Sequence, residues 1–195
     1  MYKFLHALAN LYLKIFFGLR VYGRENIPAG GVVLVGNHPY ATDPIYVGLS
    51  VPSSRRMRFM GKKQLFAFPP LRWFITWCGA YPIDRGASDI AAMKKTLEML
   101  KSGELVIVFP DGTRNRLEDP SMAKTGAALL AVKSGMPVLP MYLEPGRRFL
   151  RKRMTVTFGM PYMPKMPEGI GRSDGYRQVV LDMMERVYAL KPVQA

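Results

Sequence analysis

His38 and Asp43 are the residues whose type and spacing most directly indicate catalysis. The chain has only two histidines, His6 and His38, so histidine-based chemistry must use one of them. Residues five apart on one helix point about 140° away from each other, so these two side chains can pair only where a loop enters a helix. An imidazole held by a carboxylate is a general base, because the acid fixes its tautomer and stabilises the charge that forms. The alternative is that Asp43 only caps a helix and His38 lies in a turn.

No covalent nucleophile stands out beside this pair. The sequence has no Gly-x-Ser-x-Gly segment, which argues against a serine hydrolase. Its one cysteine, Cys78, ends an apolar helical pattern, where cysteine more often contributes to packing than to catalysis. A single cysteine also excludes an intramolecular disulfide and a cysteine-rich zinc site. We therefore expect the base to take a proton from a bound substrate hydroxyl or from water.

A second polar loop has the composition of a phosphate site. It follows the apolar run Leu105–Phe109, and its Gly112 permits a tight turn with exposed N–H groups. Thr113 adds a hydroxyl, and Arg114 and Arg116 add guanidinium groups whose paired donors match phosphate oxygens. The alternative is a charged turn in solvent.

Alternating strand and helix patterns predict an α/β fold with a largely parallel central sheet flanked by helices. Strands are predicted over 32–35, 58–60, 105–109, 138–143 and 154–158. Helices are predicted over 44–51, 71–77, 88–101, 122–134 and 173–190. Because sites in open α/β sheets lie beyond the carboxyl ends of strands, we expect the two polar loops to form the site. No linker or repeat divides the 195 residues, which predicts a single domain over 1–195.

The N-terminal segment, 1–20, has the pattern of an amphipathic helix. At 100° per residue, one arc of about 140° holds Phe4, Leu5, Leu8, Leu11, Tyr12, Ile15, Phe16 and Leu19. On the opposite side lie Lys3, His6, Asn10 and Lys14. The pattern suits a helix in a membrane interface, and it also suits a helix packed on its own domain. The chain has no run of 18 apolar residues and no cleavage site after this segment, so we expect neither a spanning helix nor secretion.

The net charge favours an anionic partner. There are 28 Lys and Arg against 14 Asp and Glu, a balance of +14, which suits nucleic acid, lipid or a phosphorylated substrate. No recognised nucleic-acid motif accompanies the charge, so we expect no nucleic-acid partner. Basic clusters at 55–63 and 147–153 suit anionic lipid headgroups at about 1 kcal/mol per basic residue, although solvated faces have the same composition. With the N-terminal pattern, the charge favours a membrane surface.

Four segments, taken together, resemble the sequence blocks of the glycerolipid acyltransferase family. In chain order they are NHPYATD at 37–43, GAYPIDR at 79–85, FPDGTRN at 109–115 and MPVLP at 136–140. Lys124, followed by Gly126, also fits the spacing before the fourth block. The resemblance runs from about Tyr22 to Gly159, which is most of the chain. One His-x4-Asp pair is a weak signal, whereas four blocks in order are specific.

The resemblance implies a reaction and a role for each matching residue. A fatty acyl group would pass from acyl-CoA or acyl-carrier protein to the free hydroxyl of 1-acyl-sn-glycerol 3-phosphate, forming phosphatidic acid without an acyl-enzyme. His38 would be the general base, oriented by Asp43. The acceptor phosphate would bind at Arg85, Gly112, Thr113 and Arg114. Supporting positions would be Asn37, Asp111, Lys124, Val138 and Pro140. The family needs no metal and no bound cofactor.

Two residues depart from the family pattern. Asp111 stands in place of a glutamate, and Tyr40 stands where a polar residue is common. The alternative acceptors are therefore a lyso-ornithine lipid, another lysophospholipid and glycerol 3-phosphate. A non-catalytic membrane-binding protein is the more distant alternative. Phe66–Pro70 and Trp73 are expected in the core, or else along an acyl tunnel.

Together these features predict a membrane-interface helix over 1–20 and a catalytic α/β core over 21–195. We expect the protein on the cytoplasmic face of a membrane, as a peripheral or monotopic enzyme. Its expected partners are the phospholipid surface, a lysophospholipid acceptor and the acyl-CoA or acyl-carrier protein donor.

Overall fold

The computed structural model describes residues 2–55, 57–84, 89–112, 117–144 and 154–192. Within these ranges the strands are β1 Arg20–Tyr22, β2 Val32–Gly36, β3 Met57–Lys62, β4 Ala80–Ile83, β5 Leu105–Val108, β6 Val138–Glu144 and β7 Thr155–Phe158. They form one sheet in the order β1-β7-β6-β2-β5-β3-β4. β6 and β7 pair antiparallel, and the other neighbouring strands pair parallel. The predicted α/β fold with a largely parallel sheet is confirmed.

The described helices cover both faces of this sheet. They are α1 Tyr2–Phe17, α2 Asp43–Ser50, α3 Pro69–Trp77, α4 Ile90–Lys101, α5 Gly126–Ser134 and α6 Arg172–Tyr188. On one face, Leu34 of β2 packs in a cluster with Val47 of α2 and Leu13 of α1. On the other face, Val33 and its neighbours pack against α4, α5 and α6. Because successive strand residues point to opposite faces, a strand covered on both sides must be apolar throughout, as β2 and β5 are.

The observed elements differ from the predicted ones in several short stretches. β1 was not predicted, because three residues of alternating exposure carry no periodic signal. The helix predicted over 122–134 begins only at Gly126. Before it, the N–H of Lys124 donates to the carbonyl of Pro110 at 2.8 Å instead of to a helical partner. This segment therefore follows the loop after β5 and supports it.

α1 contacts α2 through its polar side. His6 Nε2 lies 3.1 Å from the carbonyl oxygen of Gly48, and Asn10 Nδ2 donates to that of Leu49. Arg24 Nε donates to the carbonyl of Ser50 at 2.7 Å, so all three side chains satisfy carbonyls at the C-terminal end of α2. Most of the apolar arc points the other way: Phe4 is 71% exposed and Ile15 is 62% exposed. Leu19, which was counted in the arc, lies beyond the helix end and is buried.

α3 is also poorly covered. None of its residues is buried, and Trp73 is 72% exposed. The expectation that Phe66–Pro70 and Trp73 lie in the core is therefore wrong. An apolar pattern predicts that a helix face will be buried, but it does not show whether the packing partner is the same chain, another protein or a membrane. Across the described residues, no helix is both long and apolar enough to cross a membrane.

Candidate active site

The connections that follow β2 and β5 leave a crevice at the carboxyl ends of these two strands. These strands are parallel neighbours, with Val35 opposite Val108. From β2 the chain passes through α2 to β3 on one side, and from β5 it passes through α5 to β6 on the other. The two connections therefore diverge at the carboxyl ends of these strands, where ligands of open α/β sheets bind. The two predicted polar loops begin at this point.

His38 and Asp43 meet in the loop after β2. His38 Nδ1 lies 2.8 Å from Asp43 Oδ2, and the same oxygen accepts the N–H of Tyr40 at 2.8 Å. Asp43 is fully buried, whereas the His38 side chain is 13% exposed. With a carboxylate as its partner, Nδ1 carries the proton, and Nε2 is left with its lone pair. This is the tautomer that a general base requires.

The alternative in which Asp43 caps the helix is wrong. Asp43 is the first residue of α2 and follows the N-cap residue Thr42, which makes no side-chain capping bond. Its Oδ2 instead accepts from Tyr40 and His38, which precede it in the chain. The loop thus folds the carboxylate towards the imidazole, as the first interpretation of the spacing required. The role of the pair stays a prediction.

Phe109 fixes the imidazole from the neighbouring strand. Its ring stacks on that of His38 with centroids 4.2 Å apart and an interplanar angle of 15°. Phe109 directly follows β5. The sequence predicted Phe109 as the end of a strand and the start of the third sequence block, but not its stacking on His38, because a contact between two loops leaves no local pattern.

Asn37 anchors the start of the loop. Its Nδ2 donates to the carbonyl of Leu143 at 2.9 Å, and its Oδ1 accepts the N–H of Leu143 at 2.7 Å. The side-chain amide thus continues the ladder between β2 and β6 after Gly36, the last residue of β2 paired with β6. Asn37 is buried, so these bonds form away from water. It positions His38, the next residue in the chain.

Gly112 and Lys124 lie together beside the pair. Gly112 has φ of 64°, and a Cβ at that position would lie 3.3 Å from Cδ of Lys124 and 3.5 Å from its Nζ. A side chain here would be strained by this backbone conformation and would crowd the lysine, so glycine suits the position. Asp111 is buried next to them. Burial, followed by the negative charge of Asp111, raises the pKa of the Tyr188 hydroxyl on α6.

Some predicted site residues are not brought to this edge. Val138 and Pro140 are buried within β6, where Pro140 pairs with Val35 of β2. They support the sheet, and neither is among the described residues that line the cavity. Arg85, Thr113 and Arg114 lie outside the described residues, as do Arg116 and the cluster at 147–153.

A cavity of about 890 Å³ opens beside the pair. Ligand pockets commonly measure roughly 300–1,000 Å³, so this one is large enough for a substantial molecule. His38, Phe109, Gly112 and Lys124 belong to its wall. The remaining wall is mostly apolar and comes from β3, β4, α4 and α5, with Phe59, Met60, Ile83, Met93, Leu97 and Leu129. The charged residues of the wall are Lys94, Lys124 and Lys133 against Asp84 and Asp89, so positive charge is in slight excess and the cavity suits an amphiphile with an anionic group. Over the described ranges, no group of three or more His, Cys, Asp or Glu is placed to hold a metal ion.

The sequence of this region matches a known family. Residues 18–144 match the model of the family described as Acyltransferase, which is more than half of the chain. The chain belongs to this acyltransferase family. The resemblance recognised from the four sequence blocks is thereby confirmed.

Relatives of this acyltransferase include proteins named for one activity. It is 32% identical over 166 residues to a 1-acyl-sn-glycerol-3-phosphate acyltransferase of Bacillus subtilis, spanning 83% of this chain and 82% of that protein. It is 34% identical over 149 residues to a chloroplastic 1-acyl-sn-glycerol-3-phosphate acyltransferase of Brassica napus, spanning 72% of this chain but 42% of that one. The crystal structure of the 1-acyl-sn-glycerophosphate (LPA) acyltransferase PlsC from Thermotoga maritima matches with a TM-score of 0.67 and 25% identity, over 99% of this chain and 79% of that one.

Proposed function

We propose that this acyltransferase moves a fatty acyl group from a thioester to the free hydroxyl of 1-acyl-sn-glycerol 3-phosphate, forming phosphatidic acid. The observation that carries the proposal is His38, paired with the buried Asp43, in the wall of a mostly apolar cavity that also contains Lys124. The names of the relatives support the choice of acceptor.

In the proposed mechanism, His38 acts at Nε2. Asp43 holds the proton on Nδ1, so Nε2 takes the proton of the acceptor hydroxyl as its oxygen attacks the thioester carbonyl carbon. Asp43 stabilises the imidazolium that forms, and stacking on Phe109 keeps the ring in place. The C–S bond then breaks, and the proton on Nε2 passes to the leaving thiolate. The products are the new ester, the free thiol and the original state of His38.

The acceptor phosphate is placed by positive charge. Lys124 supplies an ammonium beside Gly112, the residue at which the loop after β5 turns. By the family resemblance, Arg85, Thr113 and Arg114 complete this site. An anion held here lies on the wall shared with His38, so the glycerol hydroxyl of the same molecule can reach the base.

The apolar part of the cavity would take an acyl chain. Its methionines and leucines present flexible apolar side chains, which adapt to a chain of methylene groups. We propose acyl-CoA or acyl-carrier protein as the donor. On the family resemblance, we also propose that the reaction uses neither a metal nor a bound cofactor.

A membrane is the proposed source of the acceptor. The exposed arc of α1 carries Phe and Leu side chains, and the net charge of +14 attracts anionic headgroups. We propose that α1 lies in the interface on the cytoplasmic face, so that the enzyme is peripheral or monotopic. The polar contacts of α1 with α2 would then fix the catalytic core against that surface.

An acceptor panel tests the proposed function. The purified protein in detergent micelles is given labelled acyl-CoA or acyl-carrier protein together with lysophosphatidate, glycerol 3-phosphate, another lysophospholipid or lyso-ornithine lipid. Transfer to lysophosphatidate at the highest kcat/KM is expected. Transfer to another acceptor alone would retain the chemistry and overturn the acceptor, with Asp111 and Tyr40 as the first residues to exchange. No transfer to any acceptor from either donor would refute the proposal.

A further inference from the structure

The segment around α3 has an apolar surface that the described chain leaves uncovered. We call it the α3 surface, and it consists of the exposed side chains Leu65, Phe68, Leu71, Trp73, Phe74 and Trp77. Trp73 and Phe68 are 72% and 62% exposed. Six large exposed apolar side chains within thirteen consecutive residues, 65–77, exceed the scattered apolar residues of an ordinary protein surface.

The α3 surface is attached to the sheet through Phe66. Phe66, in the short 3-10 helix before α3, packs on Gly61 of β3, where a Cβ would lie 2.9 Å from its ring. α3 then begins with Pro69 and Pro70 in its first turn, where their fixed backbone angles suit a helix start. The half-buried Phe66 thus attaches the segment to the sheet, and the larger side chains that follow stay exposed.

The α3 surface and α1 belong to the same side of the sheet. Met57 and Phe59 pack in the cluster that contains Leu13 of α1 and Val47 of α2. Gly61 is the next alternate residue of β3, so Phe66 rests on that same face. A right-handed connection from β3 to β4 also places α3 there. The exposed arc of α1 and the α3 surface therefore occupy one side of the molecule.

The charge of the segment selects an anionic partner. Residues 57–83 include no acidic residue. Arg58 is paired with Glu104 of the neighbouring segment, which leaves Lys62, Lys63 and Arg72 as the basic residues of this surface. Lys63 and Arg72 are exposed within the segment itself. Aromatic side chains next to basic ones, without acids, are typical of a surface that enters the headgroup region of a bilayer. A second copy of this chain would instead bring together two proteins of charge +14, which repel.

We propose that the α3 surface docks on an anionic phospholipid bilayer as a second membrane contact beside α1. The segment starts at the carboxyl end of β3, which is the edge of the sheet that also carries His38. Docking here brings that edge to the lipid surface. The inference deepens the proposed function, because a lipid acceptor would then enter from the bilayer near the base.

Tryptophan fluorescence reads this contact directly. Trp73 and Trp77 are the two tryptophans of the chain, so the tryptophan emission reports on α3 alone. The full-length protein is titrated with vesicles of phosphatidylglycerol and phosphatidylcholine, with and without bromine on the acyl chains. We expect emission to move to shorter wavelength and the brominated lipid to quench it. Sedimentation with vesicles without either change would show binding through α1 only and would overturn the proposal.

A pair of variants tests which side chains bind. Trp73→Ala is expected to weaken vesicle binding about tenfold, because it removes one of the largest apolar side chains from the contact. Met160→Ala is the matched control, since Met160 is 71% exposed and lies outside both α1 and the α3 surface. Equal binding by the two variants would contradict the proposal. So would a shift to shorter wavelength with rising protein concentration in the absence of vesicles, accompanied by dimers in ultracentrifugation.

These measurements need no turnover. A protein that transferred no acyl group would still show the emission shift if α3 docks. A protein that transferred acyl groups in micelles without that shift would keep the proposed reaction and lose the α3 contact. The two failures are therefore distinguishable.

Discussion

Replacing Asp43 by asparagine removes one buried charge at nearly constant size. Asp43 Oδ2 accepts two bonds of 2.8 Å, from Nδ1 of His38 and from the N–H of Tyr40. In the variant, the amide oxygen can take the place of Oδ2 and keep both bonds, with the NH2 group in the place of Oδ1. The tautomer of His38 is then unchanged, but its partner is neutral. A neutral amide does not stabilise the imidazolium that forms when Nε2 takes the proton of the acceptor hydroxyl.

The expected loss is large in kcat and small in binding. The same exchange in a serine-protease triad lowers kcat about 10⁴-fold, because it produces the wrong tautomer. Here only the charge is lost, so we expect a smaller loss of about 10²- to 10³-fold, which equals about 3–4 kcal/mol of transition-state stabilisation. Asp43 does not line the cavity, so KM for the acceptor should change less than about threefold. Folding loses at most about 1.5–3 kcal/mol for a charge-assisted hydrogen bond, partly offset by the removal of a buried charge.

Kinetics and thermal unfolding of the same preparations separate these effects. Asp119→Asn is the matched control, because Asp119 also accepts a backbone N–H at 2.8 Å, from Ser121, but lies away from the pair. The control should keep its kcat. If Asp43→Asn retained kcat near that of the wild type, or if unfolding accounted for its whole loss, the stabilising role of the Asp43 charge would be refuted. A change confined to KM would place Asp43 in acceptor binding instead.

Three further substitutions test the phosphate site, the anchor of the His38 loop and an ion pair that stabilises the fold. Lys124→Met should raise KM for lysophosphatidate about 10- to 100-fold, because a charged contact to phosphate is lost. The control is Lys101→Met, which changes an exposed lysine at the end of α4 and should leave KM unchanged. Equal effects of the two substitutions on KM would show that Lys124 does not bind the phosphate. Asn37→Ala leaves both polar groups of Leu143 unpaired in a buried place and should lower the unfolding free energy by about 2–4 kcal/mol in denaturant titrations, whereas a neutral effect would exclude an anchoring role. Burial opposes ionisation of Glu118, but hydrogen bonds from Lys191 and Tyr142 lower its pKa below the usual 4.5, so its contribution is present above that pH and lost as the pH falls through the lowered pKa. Glu118→Gln should therefore flatten the acid side of the plot of Tm against pH, and an unchanged plot would show that these bonds do not stabilise the fold.

The parts of the site that the sequence predicted are those with a local signal. Unbroken apolar runs indicate β2 and β5, since strands covered on both faces have no polar side. The polar loops after them identify where chemistry occurs, because their residues are unsuited to a core. The five-residue spacing of His38 and Asp43 permits a contact only through a loop, and the structure has that contact.

The parts that escaped prediction depend on distant partners. The stacking of Phe109 on His38 and the bonds between Asn37 and Leu143 join segments far apart in the chain. No local pattern records such pairs. The orientation of α1 was not predicted for a related reason. Periodicity shows that the two faces of a helix differ, but not which face packs against the rest of the protein. His6 and Asn10 contact α2 because the last carbonyls of a helix lack partners within the helix and need donors. A pattern of hydrophobic residues carries no information about such hydrogen bonds.

The rate of acyl transfer by His38→Ala tests the central claim most directly. Wild type and variant, both shown to be folded by thermal unfolding, are compared in micelles with the same labelled thioester and lysophosphatidate. Loss of a positioned general base costs about 10²–10⁴ in rate, so transfer by the variant should fall by at least 10²-fold. Transfer by His38→Ala at a rate near that of the wild type would contradict a mechanism in which His38 takes the proton of the acceptor.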